Sequence, residues 1–474
     1  MTVLAIDQGT SGTKALVVGD DGEVLAHAER EVRPTYLPGG GVEVDPHQLL
    51  ASVLEAGREA VELSRSAPTV VALANQGETV LAWDRRSGQP LGPAIVWQDR
   101  RSQVVCDSLG LLAPELTAVT GLQLDPYFSA PKMVWIRHHL TRDGVVTTTD
   151  AWLLNRLCGA YVTDVSTASR SMLMDLDTRR WDPRCVAAFG LGDEALPEIV
   201  GCDRRVGTTT AFGTSMEVGG LIVDQAAALL AQRCLEGGQA KCTFGTGAFL
   251  LVNCGASPVR SSAGLTTSVA WQIGSDVRYY MDGQVYAAGS AVRWLQSMGL
   301  LSATDRLDAE AADDAGGVMC VPSLAGLAAP WWQPEASAAI AGLRLSSGAG
   351  QVVTAVLEGM AAQLAAVADA VASDMDRPIE ALRVDGGLTA SRRLMQAVAD
   401  VTQVPVVVSA RPHATAEGAA LLGRLSLEGA AGLGDLLAGR TASESVYEPV
   451  WSADRARTYR SRWARLAAGA VEGR

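Results

Sequence analysis

The chain has 474 residues, of which 48% are hydrophobic and 19% are charged, and this composition is typical of a globular protein and excludes wholesale disorder. The length exceeds what one hydrophobic core serves, so we expect two or three domains. The formal net charge is −13 and there is no basic block, which argues against a nucleic-acid partner or an anionic membrane surface.

The beginning of the sequence is a strand pattern without a basic region and apolar core, so we expect no secretory signal. No run of about 18 or more apolar residues occurs, and we therefore expect no transmembrane helix and no membrane insertion. The eight cysteines are scattered without a C-x-x-C pair. In a large chain this indicates reduced, mostly buried thiols and a cytoplasmic location.

The first half begins with strands and continues with helices and strands. TVLAI, KALVV and EVLAHAEREV predict three meandering strands, with a DDG turn at 20 to 22 before the third. Asp45-Pro46 opens a predicted helix with apolar residues at helical spacing through Val61. TVVALAN and TVLAWD predict further strands, and WLLNRL predicts a helix with Asp150 as its cap.

The pattern restarts after residue 235 with AKCTFGTGAFLLVNC, which predicts strand, Gly-Thr-Gly turn and strand. A long helix over 350 to 372, a strand in ALRVDGG, a helix from about Ser391 to Val401, a strand in VPVVVSA and a helix in ATAEGAALLG follow. Two α/β halves that each begin with a Gly/Thr hairpin indicate duplication of one unit. We place the boundary near RCLEGGQ, which gives domains 1–235 and 236–474.

The stretch AIDQGTSGTKALVV places a carboxylate, two glycines and several hydroxyls between two buried strands. Such a turn presents N–H groups and hydroxyls to phosphate oxygens. It is neither a P-loop nor a dinucleotide fingerprint, because a strand follows it and the glycine spacing differs. Asp7 suits phosphates only with a cation between them, and Mg²⁺ fits; a plain β-turn with a capping Asp is the alternative. Further turns at 245 to 247 and at Gly386-Gly387 favour a nucleotide held between two lobes.

Blocks along nearly the whole chain resemble the FGGY carbohydrate kinases, and most closely their glycerol kinase branch. Besides the opening hairpin, they are ANQGETVLAWDRRSGQPLGPAIVWQDRR, DPYFSAPKMVWI, DVSTASRSMLMDLDTRRWD, VDQAAALLAQ, TFGTGAFLLVNCG, VPSLAGLAAPWW, AAIAGLRLSSGAGQVVTAVLE and LRVDGGLTASRRLMQAVADV. The resemblance implies an α/β fold of two ribonuclease H-like domains, of the actin, hexokinase and Hsp70 type, flanking a cleft with ATP and Mg²⁺. It also implies phosphorylation of a terminal hydroxyl of glycerol or a related small polyol or sugar, and it suggests a homodimer or homotetramer.

Asp224 follows the apolar run GLIV and precedes a helix predicted from about Gln225. Taken alone, this position indicates a helix N-cap. The resemblance implies that Asp224 is the general base that accepts the proton of the acceptor hydroxyl. Such a base does not need a high pKa, because proton transfer can come late in a loose transition state.

The resemblance implies an acceptor pocket formed by Glu78, Trp97, Tyr127, Asp224, Gln225 and Phe249. Aromatic rings suit the carbon atoms of a polyol, and the polar members suit its hydroxyls. Gly77 stands where glycerol kinases usually have Arg, which removes several donors and a large volume. Two interpretations stay open at this point: a glycerol kinase with water in the gap, or a kinase for a longer acceptor such as erythritol, xylulose or ribulose.

For the nucleotide, the resemblance implies contacts from both halves, at Thr10, Ser11, Gly12, Lys14, Thr246, Gly289, Arg293, Gly387 and Ser391. Lys14 stands where Arg is common, and Arg293 and Ser391 stand where Gln and Asn are usual. Adenine contacts are partly backbone and stacking, so we expect ATP use to survive these replacements. The segment GTTTAFGTSMEVGG at 207 to 220 is short and lacks His, so we expect none of the regulatory loops of some glycerol kinases.

Two other classes of protein are alternatives at this point. An ATP-driven conformational protein, such as a chaperone or filament subunit, shares the fold type but would not need an aromatic pocket around Asp224. A degenerate kinase that acts as a binding or regulatory protein is compatible with Gly77 and Arg293. The retained Asp7, Asp224 and Gly/Thr turns favour an active kinase.

Overall fold

The protein is described by a computed structural model that covers residues 1–409, 411–429 and 444–472. The strands are β1 (Val3–Gln8), β2 (Gly12–Val18), β3 (Val24–Glu31), β4 (Thr35–Leu37), β5 (Gly41–Val44), β6 (Val70–Asn75), β7 (Val80–Trp83), β8 (Ala94–Ile95), β9 (Val145–Thr148), β10 (Val162–Asp164), β11 (Met174–Asp175), β12 (Arg180–Trp181), β13 (Glu198–Val200), β14 (Arg205–Thr209), β15 (Met216–Val223), β16 (Ala240–Phe244), β17 (Ala248–Gly255), β18 (Thr266–Ile273), β19 (Asp276–Val285), β20 (Met319–Val321), β21 (Ala339–Ala341), β22 (Leu382–Asp385), β23 (Val406–Val408) and β24 (Ser445–Tyr447).

The helices are α1 (Pro46–Ser64), α2 (Gln103–Ser108), α3 (Ala113–Thr120), α4 (Ser129–His139), α5 (Thr149–Cys158), α6 (Val165–Ala168), α7 (Pro183–Ala188), α8 (Asp224–Ala231), α9 (Gly289–Ser297), α10 (Leu307–Glu310), α11 (Ala349–Met375), α12 (Arg392–Thr402), α13 (Ala414–Glu428) and α14 (Ala453–Glu472). Short 3₁₀ helices span Gly110–Leu112, Thr304–Arg306 and Gly387–Ala390.

The first half is built on a six-stranded sheet of order β14-β15-β6-β1-β2-β3. Strand β1 runs antiparallel to β2 and parallel to β6, and β15 runs parallel to β6. A five-stranded sheet of order β4-β5-β8-β7-β9 lies in the same half. Helix α1 starts as predicted, since the Asp45 carboxylate accepts a hydrogen bond of 2.9 Å from the backbone N–H of His47.

The second half repeats this arrangement in a seven-stranded sheet of order β18-β19-β17-β16-β22-β23-β24. Strand β16 runs antiparallel to β17 and parallel to β22, as β1 does with β2 and β6. The expectation of two α/β units, each opened by a Gly/Thr hairpin, is confirmed. The hairpin turns of β1-β2 and β16-β17 therefore occupy equivalent places in the two sheets.

Helix α13 belongs to the second half of the sequence but packs on the first sheet, with Ala416, Ala419 and Leu422 in one core cluster with Ala72. Helices α13 and α8 pack closely at Gly418, where any side chain would clash: a Cβ there would lie 2.0 Å from the carbonyl oxygen of Ala227. The domain boundary between residues 235 and 236 stays a prediction, since α13 follows this boundary in sequence but packs on the sheet that precedes it.

One expectation needs correction. Asp150 does not cap α5, because Thr149 is the first residue of the helix and Thr148 is its N-cap. Asp150 is buried and its Oδ2 accepts a hydrogen bond of 2.6 Å from the hydroxyl of Thr163, so a tertiary contact explains this carboxylate. Helix α11 is long and apolar enough to cross a membrane, but 72% of its apolar window is buried inside the protein, as in a core helix.

Candidate active site

The predicted phosphate hairpin is the turn between β1 and β2. The N–H of Gly9 donates to the carbonyl of Gly12 at 2.9 Å and closes the turn. Ser11 is exposed, while Thr10 and Lys14 are partly exposed. The turn therefore presents hydroxyls and backbone N–H groups to a ligand, as its sequence predicted.

Asp7 lies at the base of this hairpin, opposite Lys14 on β2. Within the described residues, no side chain or N–H donates a hydrogen bond to its carboxylate. Burial raises the pKa of Asp7 to about 6, although the positive charge of Lys14 acts in the other direction. A carboxylate that is desolvated without a donor is destabilised, so Asp7 is suited to a positively charged ligand.

Asp224 is the first residue of α8, where strand β15 ends beside β6. Its Oδ1 accepts a hydrogen bond of 2.6 Å from the N–H of Gln225. Burial, together with the negative charges of Asp7 and Glu78, raises the pKa of Asp224 to about 7. The structure thus brings three predicted carboxylates close enough to repel one another, and a group with a pKa near neutrality is suited to accept a proton.

Glu78 is held by an ion pair that sequence reasoning missed. Arg170 Nε donates to Glu78 Oε1 at 2.6 Å, and Arg170 Nη1 donates to Asp282 Oδ1 at 2.7 Å. All three side chains are buried, and burial raises the pKa of Glu78. Asp282 comes from β19 in the second half, so this pair of contacts joins the two halves beside the pocket. The only local signal was Arg170 within an otherwise small and hydroxylated stretch.

An aromatic wall stands beside these carboxylates. The ring centroid of Trp97 lies 5.4 Å from that of Tyr127 and 6.3 Å from that of Phe249, both in edge-on geometry. The indole Nε1 of Trp97 also donates to the hydroxyl of Thr10 at 2.8 Å. The predicted wall is therefore assembled from both halves and is attached to the phosphate hairpin.

Lys132 holds the backbone that carries Tyr127 of this wall, a role that sequence reasoning did not predict. Its fully buried Nζ donates to three consecutive backbone carbonyls, those of Pro126 at 2.9 Å, Tyr127 at 2.5 Å and Phe128 at 2.6 Å. Burial lowers the pKa of Lys132 to about 7. The ammonium group satisfies the carbonyls of a loop that precedes α4, and so it fixes the backbone that carries Tyr127.

Gln225 is oriented by a second buried lysine. The Nζ of Lys241 donates to Gln225 Oε1 at 2.7 Å and to the hydroxyl of Thr243 at 2.9 Å. Burial lowers the pKa of Lys241. Since the Gln225 oxygen is already an acceptor for Lys241, its amide N–H₂ is the part of the side chain left to meet a hydroxyl.

The gap expected at Gly77 is bordered by a side chain of the adjacent strand. Gly77 is buried, and a Cβ added there would lie 2.9 Å from Cγ2 of Val223. Val223 is itself only 3% exposed. A methyl group of Val223 therefore lies close to the place where a side chain at position 77 would begin.

On the nucleotide side, the turn of β16-β17 lies against the start of α9. Gly289 N–H donates to the carbonyl of Gly245 at 3.0 Å, and a Cβ at Gly289 would lie 2.6 Å from that oxygen. Thr246 and Arg293 are exposed there. The N–H of Ser290 likewise donates to the carbonyl of Thr246 at 3.1 Å, so the start of α9 fixes this turn, and the contact of the turn with a nucleotide stays a prediction.

Gly387 and Ser391 differ in what they offer a nucleotide. Gly387 is exposed at the start of the 3₁₀ helix that follows β22. The Ser391 hydroxyl donates to Asp308 Oδ1 at 2.5 Å, and it accepts from the N–H of Leu394 as the N-cap of α12. Because both contacts are structural, a nucleotide contact by the Ser391 side chain stays a prediction.

Two family models match this chain: the N-terminal domain of the FGGY family of carbohydrate kinases over residues 2–230, and the C-terminal domain of that family over residues 240–427. A glycerol kinase of Aromatoleum aromaticum is 38% identical and covers 98% of this chain and 97% of its own length. A glycerol kinase of Gloeobacter violaceus is 41% identical and covers 91% of this chain and 88% of its own length.

Solved structures agree over the full length. The glycerol kinase of Plasmodium falciparum with ADP is 28% identical and has a TM-score of 0.93, covering 98% of this chain and 97% of its own. A protein of Brucella ovis described as a xyloylose kinase is 25% identical with a TM-score of 0.88, covering 99% of this chain and 98% of its own.

Proposed function

Because this chain belongs to the FGGY family of carbohydrate kinases, we propose that it phosphorylates a terminal hydroxyl of glycerol. It is an ATP-dependent kinase that transfers a phosphoryl group to an alcohol. The observation that carries the acceptor assignment is the aromatic wall of Trp97, Tyr127 and Phe249, in which the Trp97 indole is hydrogen-bonded to Thr10 of the phosphate hairpin. Relatives that cover most of this chain are glycerol kinases, which supports the choice of a short polyol.

We assign Asp224 as the general base. Its pKa of about 7 leaves a large ionised fraction at neutral pH and a useful driving force for proton transfer. Its position at the start of α8 places the carboxylate at the positive end of the helix dipole. Within the pocket, Glu78, Tyr127 and Gln225 are the groups we assign to the remaining hydroxyls.

For the nucleotide, we assign the phosphates to the two Gly/Thr turns, with Ser11 on one side of the cleft and Thr246 on the other. Both residues are exposed. The start of α9 lies against the second turn, and its first N–H groups donate to the carbonyls of Gly245 and Thr246, which fixes the turn. The assignment of the other nucleotide contacts rests on the family resemblance.

We also propose that Mg²⁺ binds with ATP at Asp7. The residues fit this ion, because the Asp7 carboxylate is half-buried, without a hydrogen-bond donor in the described part of the chain, and beside a second carboxylate at Asp224. The described residues contain no group of three or more His, Cys, Asp or Glu arranged for a metal. Mg²⁺ is commonly held by one or two carboxylates with waters and phosphate oxygens. When bound, it would neutralise phosphate charge.

The test is a panel of acceptors with ATP and Mg²⁺: glycerol, erythritol, xylulose and ribulose. We expect the highest kcat/KM for glycerol, because Cγ2 of Val223 lies close to the place where a side chain at Gly77 would begin and borders the space that further carbons would need. A preference for a pentulose would contradict the glycerol assignment and leave the kinase activity standing. ATP binding without turnover on any acceptor would support the regulatory alternative.

We propose a cytoplasmic location and leave the homodimer or homotetramer as a prediction. All eight cysteines are free and most are buried, as expected of a protein from a reducing compartment. Light scattering after size-exclusion chromatography measures the oligomeric state, and fractionation of cells measures the location.

A further inference from the structure

The two carboxylates of the acceptor pocket follow directly on two residues that touch each other. Strands β6 and β15 run parallel, with Val223 opposite Asn75. The chain continues from β6 through Gly77 to Glu78, and from β15 through Val223 to Asp224. The residues that precede the two carboxylates, Gly77 and Val223, therefore lie side by side.

The glycine at 77 is explained by space and not by backbone conformation. Gly77 does not have a positive φ, so an L-residue could adopt its backbone conformation without the strain of the left-handed region. The obstacle is Val223, whose Cγ2 would lie 2.9 Å from a Cβ at position 77. That distance is below van der Waals contact, so one side chain at this place excludes the other.

We propose that Val223 and Gly77 form a size filter for the acceptor. The isopropyl group of Val223 fills the volume beside Gly77 and closes the pocket between Glu78 and Asp224, so polyols with carbons beyond the third are rejected. This inference rests on the proposed function, and it makes Val223 a specificity-determining residue.

Two physical effects act in the same direction at this wall. An extra hydroxylated carbon collides with a methyl group that cannot move into open space, since Val223 is 3% exposed and packed in a core cluster. Its hydroxyl would also lose water against an apolar group that offers no hydrogen bond, which costs further binding free energy. A single methyl group in such a pocket typically changes kcat/KM by about 10- to 200-fold.

The experiment compares kcat/KM for glycerol and erythritol in Val223→Ala, Gly77→Ala and the double variant. We expect Val223→Ala to raise the erythritol-to-glycerol ratio by about tenfold or more. Gly77→Ala alone lowers kcat/KM for both acceptors, because the new methyl must displace Val223. The double variant recovers glycerol turnover, so the effects of the two changes are not additive.

Val218→Ala is the matched control. Val218 lies on the same strand, is 1% exposed, and packs in a different core cluster from Val223. It loses the same side-chain volume as Val223→Ala and lowers the Tm by a comparable amount, but it leaves the acceptor ratio unchanged. An unchanged ratio in folded Val223→Ala, or additive effects in the double variant, would overturn the size filter.

Calorimetric binding of each polyol in the presence of ADP separates this inference from the proposed function. If wild-type protein binds glycerol more tightly than erythritol but phosphorylates neither, the size filter is supported and the proposed phosphorylation of glycerol is contradicted. If it phosphorylates erythritol better than glycerol, the size filter is contradicted and the kinase activity stands. If it binds neither polyol, both inferences are contradicted.

Discussion

The indole N–H of Trp97 donates a hydrogen bond of 2.8 Å to the hydroxyl of Thr10, which joins the acceptor wall to the phosphate hairpin. Trp97 also meets the rings of Tyr127 and Phe249 edge-on. A displacement of the hairpin by a bound nucleotide would therefore be transmitted to the wall through one hydrogen bond. This relationship leads to the first prediction.

Trp97→Phe keeps an aromatic ring and removes the donor to Thr10. We expect the KM values for both glycerol and ATP to rise by several-fold, because the loss of one partly buried hydrogen bond is worth about 1 kcal/mol and leaves the Thr10 hydroxyl without its donor. Thr10→Val removes the acceptor of the same bond and should give a similar rise. If the double variant showed the sum of the two single effects, the bond would not couple the sites.

Asp224→Asn tests the general base. We expect nucleotide binding to persist and turnover to fall by about 10²–10⁴-fold, as is typical when a general base is lost. Single-turnover kinetics with glycerol, together with calorimetric binding of ADP, measure the two effects separately. Turnover within about threefold of wild type would remove Asp224 from this role.

The same variant has a consequence for stability. The pKa of Asp224 is raised from 3.8 to about 7, so between these pH values the folded state binds a proton that the unfolded state has lost. The ionised carboxylate therefore destabilises the folded protein increasingly as pH rises through this window. We expect the Tm of Asp224→Asn, measured without nucleotide or Mg²⁺, to exceed that of wild type at pH 8 and to match it near pH 4.

Asp7→Asn tests the cation. We expect the Mg²⁺ concentration for half-maximal activity to rise by about tenfold or more, because a neutral amide is a poorer Mg²⁺ ligand than a carboxylate. The fold should remain, since the pKa of Asp7 is raised to about 6 by burial and the neutral side chain relieves that penalty. An unchanged Mg²⁺ titration would make Asp7 a turn residue only.

The features that sequence predicted are those with local signals. The hairpin glycines, the Asp45 cap of α1 and the alternation of strands around them are all written within a few residues. Arg170 binds Glu78 and Asp282, which lie 92 and 112 residues away. No local pattern specifies such partners, because the halves must first fold and meet.

The same reason explains what sequence could not show at Gly77 and why the Asp150 cap was wrong. Val223, which borders Gly77 from the adjacent strand, could not be placed from sequence. Asp150 had the spacing of a cap, but the tertiary contact with Thr163 determines its environment. Local propensity is a weak guide where a residue is buried between elements that are distant in sequence.

Lys132→Met tests whether a buried ammonium shapes the acceptor wall. The change keeps most of the side-chain volume and removes three donors, so the carbonyls of residues 126 to 128 lose their partner inside the protein. Each unsatisfied carbonyl costs about 1–3 kcal/mol, and the loop that carries Tyr127 should relax to reach water. We expect the KM for glycerol to rise by about tenfold or more, kcat to change less, and the Kd of ADP to stay within about twofold, because the nucleotide turns lie elsewhere.

Acceptor kinetics, calorimetric ADP binding and the Tm measure these effects. Lys14, which pairs loosely with Glu29 at 4.0 Å, provides the contrast: Lys14→Met should raise the KM for ATP and leave the KM for glycerol unchanged. If Lys132→Met lowered only the Tm and left the glycerol KM unchanged, its ammonium group would support the fold without positioning Tyr127.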